Sequence, residues 1–392
     1  MIRHPASLES GGSQSSGSAG QATPVRTPPI DEAECEAWYD GEDAIEALVR
    51  LPAANDPGGE HGLALDRKTF DLGGARRCAI HIPGRGLSAR HCELERRGRR
   101  LLLRDLDSTN GTILDGRRIR DAADLYPGDR FTAVPVSFIA LNRLMRAHRP
   151  LLVELLGTGF EPSADTLMVE AAKGLGHILL WGESGGDYDR LAYAIHAMSL
   201  NRDRDRVPQR IEQIPADRSA QVALIKSAAR STLVLSVSDK SPPIDPTFSS
   251  MLFSPSYHVR VIVIAPAPQT ARRLLPADDV AKMMHVWIRP LSVRAGELPV
   301  LLDRLLTVLD APIRFSDLTK ANQDRVVRHD WKRNWEDLRT AADRLTAIAR
   351  VPNWETLDWR GRATATGIAR TTLNDWYQAL KFTAPLFSKP GL

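Results

Sequence analysis

The sequence predicts a multidomain chain in which an all-β region is followed by an α/β region and a small all-α tail. Three observations carry this. His91-Cys92-Glu93-Leu94-Glu95 alternates, and Leu101 to Leu106 is largely apolar. Arg96-Arg97-Gly98-Arg99-Arg100 joins these runs as a hairpin turn would. Beyond residue 150 the period changes: His177 to Trp181 reads as a buried strand, Gly182 to Gly186 as a turn, and Leu191, Ala194, Ile195 and Met198 recur at helical spacing. Towards the end, Trp331, Trp335, Trp354, Trp359 and Trp376 fall in helical segments among apolar neighbours, where they are expected to build core.

Length and composition set the frame. A chain of 392 residues holds two or three domains that each bury a core, and 43% hydrophobic with 26% charged residues suits a water-soluble protein. No apolar run reaches membrane-spanning length, and Met1 to Gly20 lacks the apolar centre of a signal peptide. With no such run, no membrane partner is expected, and Cys35, Cys78 and Cys92 make neither a metal spacing nor an even disulfide set, which points to a reducing cytoplasm. A net charge of +4 does not by itself imply nucleic-acid binding, and nine Lys among 52 basic residues is a bias of genome composition. Residues 1–30, rich in Ser, Gly, Gln and Pro, are expected to be disordered. Asp31 to Asp43 reads as an acidic linker that closes a segment 1–44, and Leu144 to Pro150 as a short basic junction.

Within the β region, Ser88-Ala89-Arg90-His91 precedes Ser108-Thr109-Asn110-Gly111-Thr112, and Leu125-Tyr126-Pro127-Gly128-Asp129 comes after them. These ordered motifs resemble the forkhead-associated (FHA) domain over residues 45–142. The resemblance implies a β-sandwich that reads phosphothreonine on a partner protein. A phosphothreonine brings nearly two negative charges and three acceptor oxygens, so its site needs donors on loops held by a rigid sheet. By resemblance, Ser88 and Thr109 donate hydroxyls to the phosphate and Asn110 fixes the peptide backbone after it. Arg85 and Arg90 join the site, while His91 and Gly111 buttress the loops. The sequence departs from the family at two places: the usual Gly-Arg aligns with Gly73-Gly74, and Ala89 replaces the basic residue after the loop serine. Arg76, Arg77 and Arg85 are near enough in sequence to substitute.

The strand, Gly-rich turn and helix at 177–198 have the frame of a phosphate-binding loop. Gly182-Glu183-Ser184-Gly185, with Ala194-Ile195-His196 and Ser199, resembles the first nucleotide motif of NtrC-type AAA+ activators. Thr232 to Val237, Val259 to Ile264, Arg289 to Arg294 with Glu297-Leu298-Pro299, and Trp331 to Leu338 succeed it in that family's order. The resemblance implies a parallel-sheet P-loop-like domain at 150–312 and a helical lid-like region at 313–350. Its catalytic groups are replaced. The phosphate Lys is Tyr188, the last loop Gly is Asp187, the acidic pair of the second motif is Ser236-Val237, and the lid Arg is Glu336. The expectation is a degenerate nucleotide site around Gly182, Gly185, Tyr188 and Ser236, with no catalytic residue, metal or cofactor.

In the tail at 351–392, Thr364-Ala365-Thr366-Gly367-Ile368-Ala369-Arg370-Thr371-Thr372-Leu373 resembles a Fis-type helix-turn-helix. That implies a DNA-facing surface of Arg370, Thr371, Thr372, Asn374, Gln378 and Lys381, with Ile368 and Leu373 packed inward and a break expected at Arg360-Gly361. Residues 313–392 carry 14 basic and nine acidic side chains, a mild bias towards DNA. The combined expectation is a cytoplasmic regulator of transcription, not an enzyme, that reads phosphothreonine and engages duplex DNA, with self-association open. The competing expectation is a phosphoprotein adaptor without DNA.

Overall fold

The computed structural model describes residues 44–51, 62–65, 67–83, 86–97, 100–157, 161–173, 176–199 and 208–388. The disorder expected at 1–30, the acidic linker to Asp43, Cys35, Arg85 and the Gly98-Arg99 turn lie outside the described residues.

The first region is a β-sandwich. Its strands are β1 (Ile45–Arg50), β2 (Gly62–Ala64), β3 (Thr69–Gly73), β4 (Ile80–His81), β5 (Cys92–Arg97), β6 (Arg100–Asp105), β7 (Thr112–Leu114), β8 (Arg117–Arg118), β9 (Ala122–Leu125), β10 (Arg130–Ala133) and β11 (Val136–Asn142). They form a six-stranded sheet, β2-β1-β11-β10-β7-β8, and a five-stranded sheet, β4-β3-β5-β6-β9. Alternation decides which side chains enter the core: Leu94 pairs across the strands with Leu103, and both are fully buried with Phe70, Leu72 and Leu101. From the other sheet come Phe131 and Phe138, whose rings stack 5.1 Å apart.

Strand β11 is buried on both faces, and that ties the sandwich to the helices and parallel sheet beyond it. Phe138 and Ala140 enter the sandwich core, while Ile139 and Leu141 join the core of the next region. The expected junction at Leu144 to Pro150 is helical instead, part of α1 (Arg143–Leu156) with Pro150 inside it. Asn142 caps the helix by accepting from the Met145 amide at 2.8 Å, and Met145, Leu152, Leu155 and Leu156 bury one face. Arg149 points inward but pairs with Asp165 at 2.8 Å on α2 (Glu161–Lys173).

The α/β region continues with β12 (Ile178–Trp181), α3 (Tyr188–Ala197), β13 (Gln209–Ile211), α4 (Arg218–Ser227), β14 (Thr232–Ser236), α5 (Pro246–Leu252), β15 (Arg260–Ala265), α6 (Pro268–Leu274), α7 (Ala277–Lys282) and β16 (Met284–Trp287). All neighbouring strands are parallel, in the order β13-β14-β15-β12-β16. Ile178 and Leu180 pack to one face of the sheet and Leu179 to the other, as a doubly covered parallel sheet requires. The helices α8 (Leu298–Val308), α9 (Lys320–Arg328), α10 (Asn334–Ala349), α11 (Trp359–Thr366) and α12 (Arg370–Ala379) complete the chain. Trp331, Trp335, Trp354 and Trp376 are buried in their core, and Trp359 packs partly against it. The break expected at Arg360-Gly361 is absent, because Asp358 accepts the Gly361 amide at 2.7 Å and starts α11. Arg294, fully buried, donates to the Glu154 and Leu155 carbonyls at 2.7 and 3.2 Å and pairs with Glu297, so it clamps the end of α1.

The Arg149–Asp165 pair yields a stability test. Asp165→Ala removes the carboxylate from a buried guanidinium and should cost about 3–5 kcal/mol in urea unfolding, whereas replacing both residues by Leu should cost far less. Equal losses for the single and double variants would show that the pair does not behave as a buried ion pair.

Candidate functional site

Two loops meet at one end of the sandwich because of the β5–β6 register. Cys92 pairs with Asp105, so the segment entering β5 and the segment leaving β6 lie side by side. The first carries Ser88 and the second Thr109. Ser88 Oγ accepts the Thr109 amide at 3.1 Å and lies 3.4 Å from Thr109 Oγ1. Asn110 Nδ2 donates to the Gly86 carbonyl at 2.8 Å, which crosses between the loops a second time. Ser88 is half-buried, whereas Thr109 and Asn110 are exposed.

Beneath them His91 is fully buried. Its Nδ1 accepts the Ser88 amide at 3.4 Å. The proton therefore sits on Nε2, which donates to the Gly111 carbonyl at 3.1 Å. The second loop is also wound around a carboxylate. Asp105 accepts from the Ser108 hydroxyl at 2.7 Å, the Ser108 amide at 3.0 Å and the Thr112 hydroxyl at 2.6 Å, and the Ser108 hydroxyl accepts the Gly111 amide. Burial pushes the Asp105 carboxyl up, but the bonds from Thr112 and Ser108 outweigh it and hold it below the usual carboxylate range.

The cations are placed less simply than the sequence suggests. Arg90 is turned to Asp71 at 3.3 Å and Glu93 at 3.9 Å, so acidic neighbours offset its charge. The family's Arg position is Gly74, whose amide donates to the Ser88 carbonyl at 2.9 Å. The turn after it carries Arg76 and Arg77, both exposed. Sequence reading missed Arg118. Asp115 and Gly116, both at positive φ, form a two-residue turn that sets Ile113 opposite Arg118. The guanidinium then covers Gly111: a Cβ on Gly111 would come within 2.4 Å of Arg118 Nε. The Asp-Gly pair is the signal that could have found it.

The Gly-rich turn after β12 is filled by the chain itself. A Cβ on Gly185 would lie 2.0 Å from the Arg333 carbonyl oxygen, so only glycine fits against that backbone. Asn334 Nδ2 donates to the Ser184 carbonyl at 2.8 Å, and its Oδ1 accepts the Leu291 amide at 2.8 Å. The Trp335 amide donates to the Gly185 carbonyl at 3.2 Å. Tyr188 folds back over Gly182 and Gly186 and donates to the Glu183 carbonyl at 3.0 Å. Asp187 is bracketed by Arg190 and Arg339. Ser236 ends β14 with a buried hydroxyl that has no hydrogen-bond partner among the described residues, and Glu336 pairs with Arg333 at 2.7 Å.

In the tail, Gly367 at φ 69° separates α11 from α12. Leu373, Trp376 and Tyr377 face inward and Ile368 packs partly against the core. Arg370, Thr371, Thr372, Gln378 and Lys381 are exposed and Asn374 is half-buried, so five of the six expected contact residues face solvent, as does Asp375.

The sandwich with its two hydroxyl-bearing loops defines a loop-borne binding module on a rigid β scaffold. Residues 70–133 match the family model of the FHA domain, and this part of the chain is an FHA domain. Solved structures resemble the same part. Mycobacterium tuberculosis EmbR, in complex with a low-affinity phosphopeptide, is 23% identical over 25% of this chain and 24% of its own, with a TM-score of 0.23. The FHA domain of a Chlamydia trachomatis protein is 24% identical over 25% of this chain and 98% of its own, also at 0.23. An FHA domain studied for phosphothreonine-dependent interactions is 26% identical over 25% of this chain and 96% of its own, with a TM-score of 0.23. The chain thus spans about a quarter of EmbR but nearly all of the isolated FHA domains. No curated protein matches the chain.

Asp105 supplies a pH test. Because its folded-state pKa is depressed, its contribution is present above the unfolded value of about 3.9 and is lost as pH falls through the lower folded value. Asp105→Asn should cost about 1.5–3 kcal/mol at neutral pH and flatten the stability profile below about pH 4. A variant with the wild-type profile across that window would mean that the carboxylate does not hold the loop.

Proposed function

We propose that this protein is a cytoplasmic, non-enzymatic regulator that reads phosphothreonine on a partner protein. The observation that carries the reading is the Ser88, Thr109 and Asn110 cluster, held on two loops by His91 and open to solvent above it. It supplies hydroxyl and amide donors to a phosphate and to the backbone beyond it. The match of residues 70–133 to the FHA family model supports the same ligand class.

The α/β region is read as a relative of NtrC-type AAA+ domains that no longer uses a nucleotide. Support comes from the position of the Gly turn at the carboxyl end of β12, between β15 and β16, where parallel sheets place ligands. Arg333, Asn334 and Tyr188 occupy the space a phosphate would need. The tail is read as a DNA-binding helix-turn-helix, supported by its exposed Arg370 to Lys381 face. The adaptor reading without DNA has one observation in its favour: Asp375 is exposed on the same helix, where it repels a phosphate backbone.

Pull-down of the full chain with pooled phosphothreonine peptides tests the first reading. The wild type should retain phosphorylated but not plain peptides, and Ser88→Ala or Asn110→Ala should weaken retention about tenfold or more. Equal retention of both pools would reduce the sandwich to a structural module. For the tail, anisotropy with duplex DNA should give a non-specific constant of about 10⁻⁴–10⁻⁶ M at physiological salt, weakened by Arg370→Ala and Lys381→Ala. No binding at low salt would leave the adaptor reading. Purified protein should show no Mg²⁺-dependent ATP turnover at any concentration. Turnover abolished by a Gly185 substitution would overturn the pseudoenzyme reading.

A further inference from the structure

A phosphate monoester near two negative charges is held tightly only where cations share its load. Among the described residues the family's Arg position is Gly74, and the expected Arg90 faces Asp71 and Glu93. Arg76 and Arg77 sit on the turn beside the Ser88 loop. On the Thr109 side the cation is brought in by the Asp115-Gly116 turn.

We infer that Arg118, carried by the β7–β8 hairpin, is the phosphate-binding cation on the Thr109 side of the site and takes over from the absent Arg at position 74. Three observations lead there. The guanidinium lies against Gly111, with Nε 2.4 Å and Nη2 2.8 Å from where a Cβ would stand, so the Asn110-Gly111 step is shaped around it. Gly111 is two residues from Thr109, so their Cα atoms lie no more than about 7.6 Å apart, within the swing of one arginine side chain. Arg118 is exposed and its side chain makes no ion pair or hydrogen bond among the described residues, in contrast to Arg90, Arg96, Arg97, Arg100 and Arg104 of the same sandwich. A pre-positioned guanidinium without such a partner costs little to recruit, and its planar fork can meet two phosphate oxygens at once. The ligand class is a dianionic phosphothreonine gripped from the second loop as well as from the first.

This inference rests on the phosphothreonine reading, and one experiment separates the two. The full chain is titrated with pooled peptides carrying a central phosphothreonine and with the same pool unphosphorylated, across a salt series. Arg118→Gln keeps a polar stem over Gly111 without the charge, and Arg118→Lys keeps the charge without the fork. The wild type should prefer the phosphorylated pool, Arg118→Gln should bind it about 10- to 100-fold more weakly and with a shallower salt dependence, and Arg118→Lys should recover part of the loss. Thermal unfolding should be the same for all three, since the side chain has no partner among the described residues to lose. If the wild type discriminates and Arg118→Gln binds equally well, the inference falls while the phosphothreonine reading stands. If the wild type does not discriminate, both fall.

Discussion

His91 lies fully buried between the two loops, accepting the Ser88 amide on Nδ1 and donating from Nε2 to the Gly111 carbonyl. One ring thereby fixes the separation of two segments whose hydroxyl residues, Ser88 and Thr109, are 21 residues apart in the chain. Each bond ties a backbone group of one loop to the ring, and a bond of this kind contributes about 0.5–1.5 kcal/mol. The contacts above the ring, Thr109 amide to Ser88 Oγ and Asn110 Nδ2 to the Gly86 carbonyl, presuppose that separation. Asp105 completes the support by curling residues 105–112 around its carboxylate. The exposed hydroxyls and amide are thus presented by a frame whose own polar groups are already satisfied, and a ligand meets a preformed site.

The rest of the described chain is joined to that frame through buried structure. Strand β11 gives one face to the sandwich and the other to the helical core, and α1 begins directly at its end. Arg294 holds the far end of α1 against the segment leading into α8. The Gly-rich turn shows the same economy in another form. Its glycines admit the Arg333 carbonyl and the Tyr188 ring, while Tyr188 and Asn334 close the turn by hydrogen bonding to its carbonyls. Tyr188 stays protonated there, because burial and the nearby Glu183 push its phenol well above the usual range. The Gly-rich turn is a packing joint between the sheet and α10.

Local pattern made much of this legible. The alternation at 91–106 marked β5 and β6, the apolar runs at 177–181 and 232–236 marked β12 and β14, and the Ser88 and Thr109-Asn110 motifs fell on facing loops. What was not legible depended on how the chain folds back on itself. Arg90 reads as a free cation until β3 brings Asp71 beside it. Arg118 reads as one of many surface arginines until the Asp115-Gly116 turn folds it over Gly111. Asn334 carries no signal that it closes a turn 150 residues earlier. Leu144 to Pro150 looked like a linker because its Pro and basic residues mask an apolar helix face, and Arg149 is neutralised by a residue from the next helix.

Amide hydrogen exchange on the full chain, with and without a pooled phosphothreonine peptide, tests most directly whether this two-loop frame is the reading site. Slower exchange is expected at residues 86–91 and 106–111 alone, with the phosphorylated pool and not with the plain one. Protection that appears equally with both pools, or that falls on residues 182–187 and leaves the two sandwich loops unchanged, would contradict it.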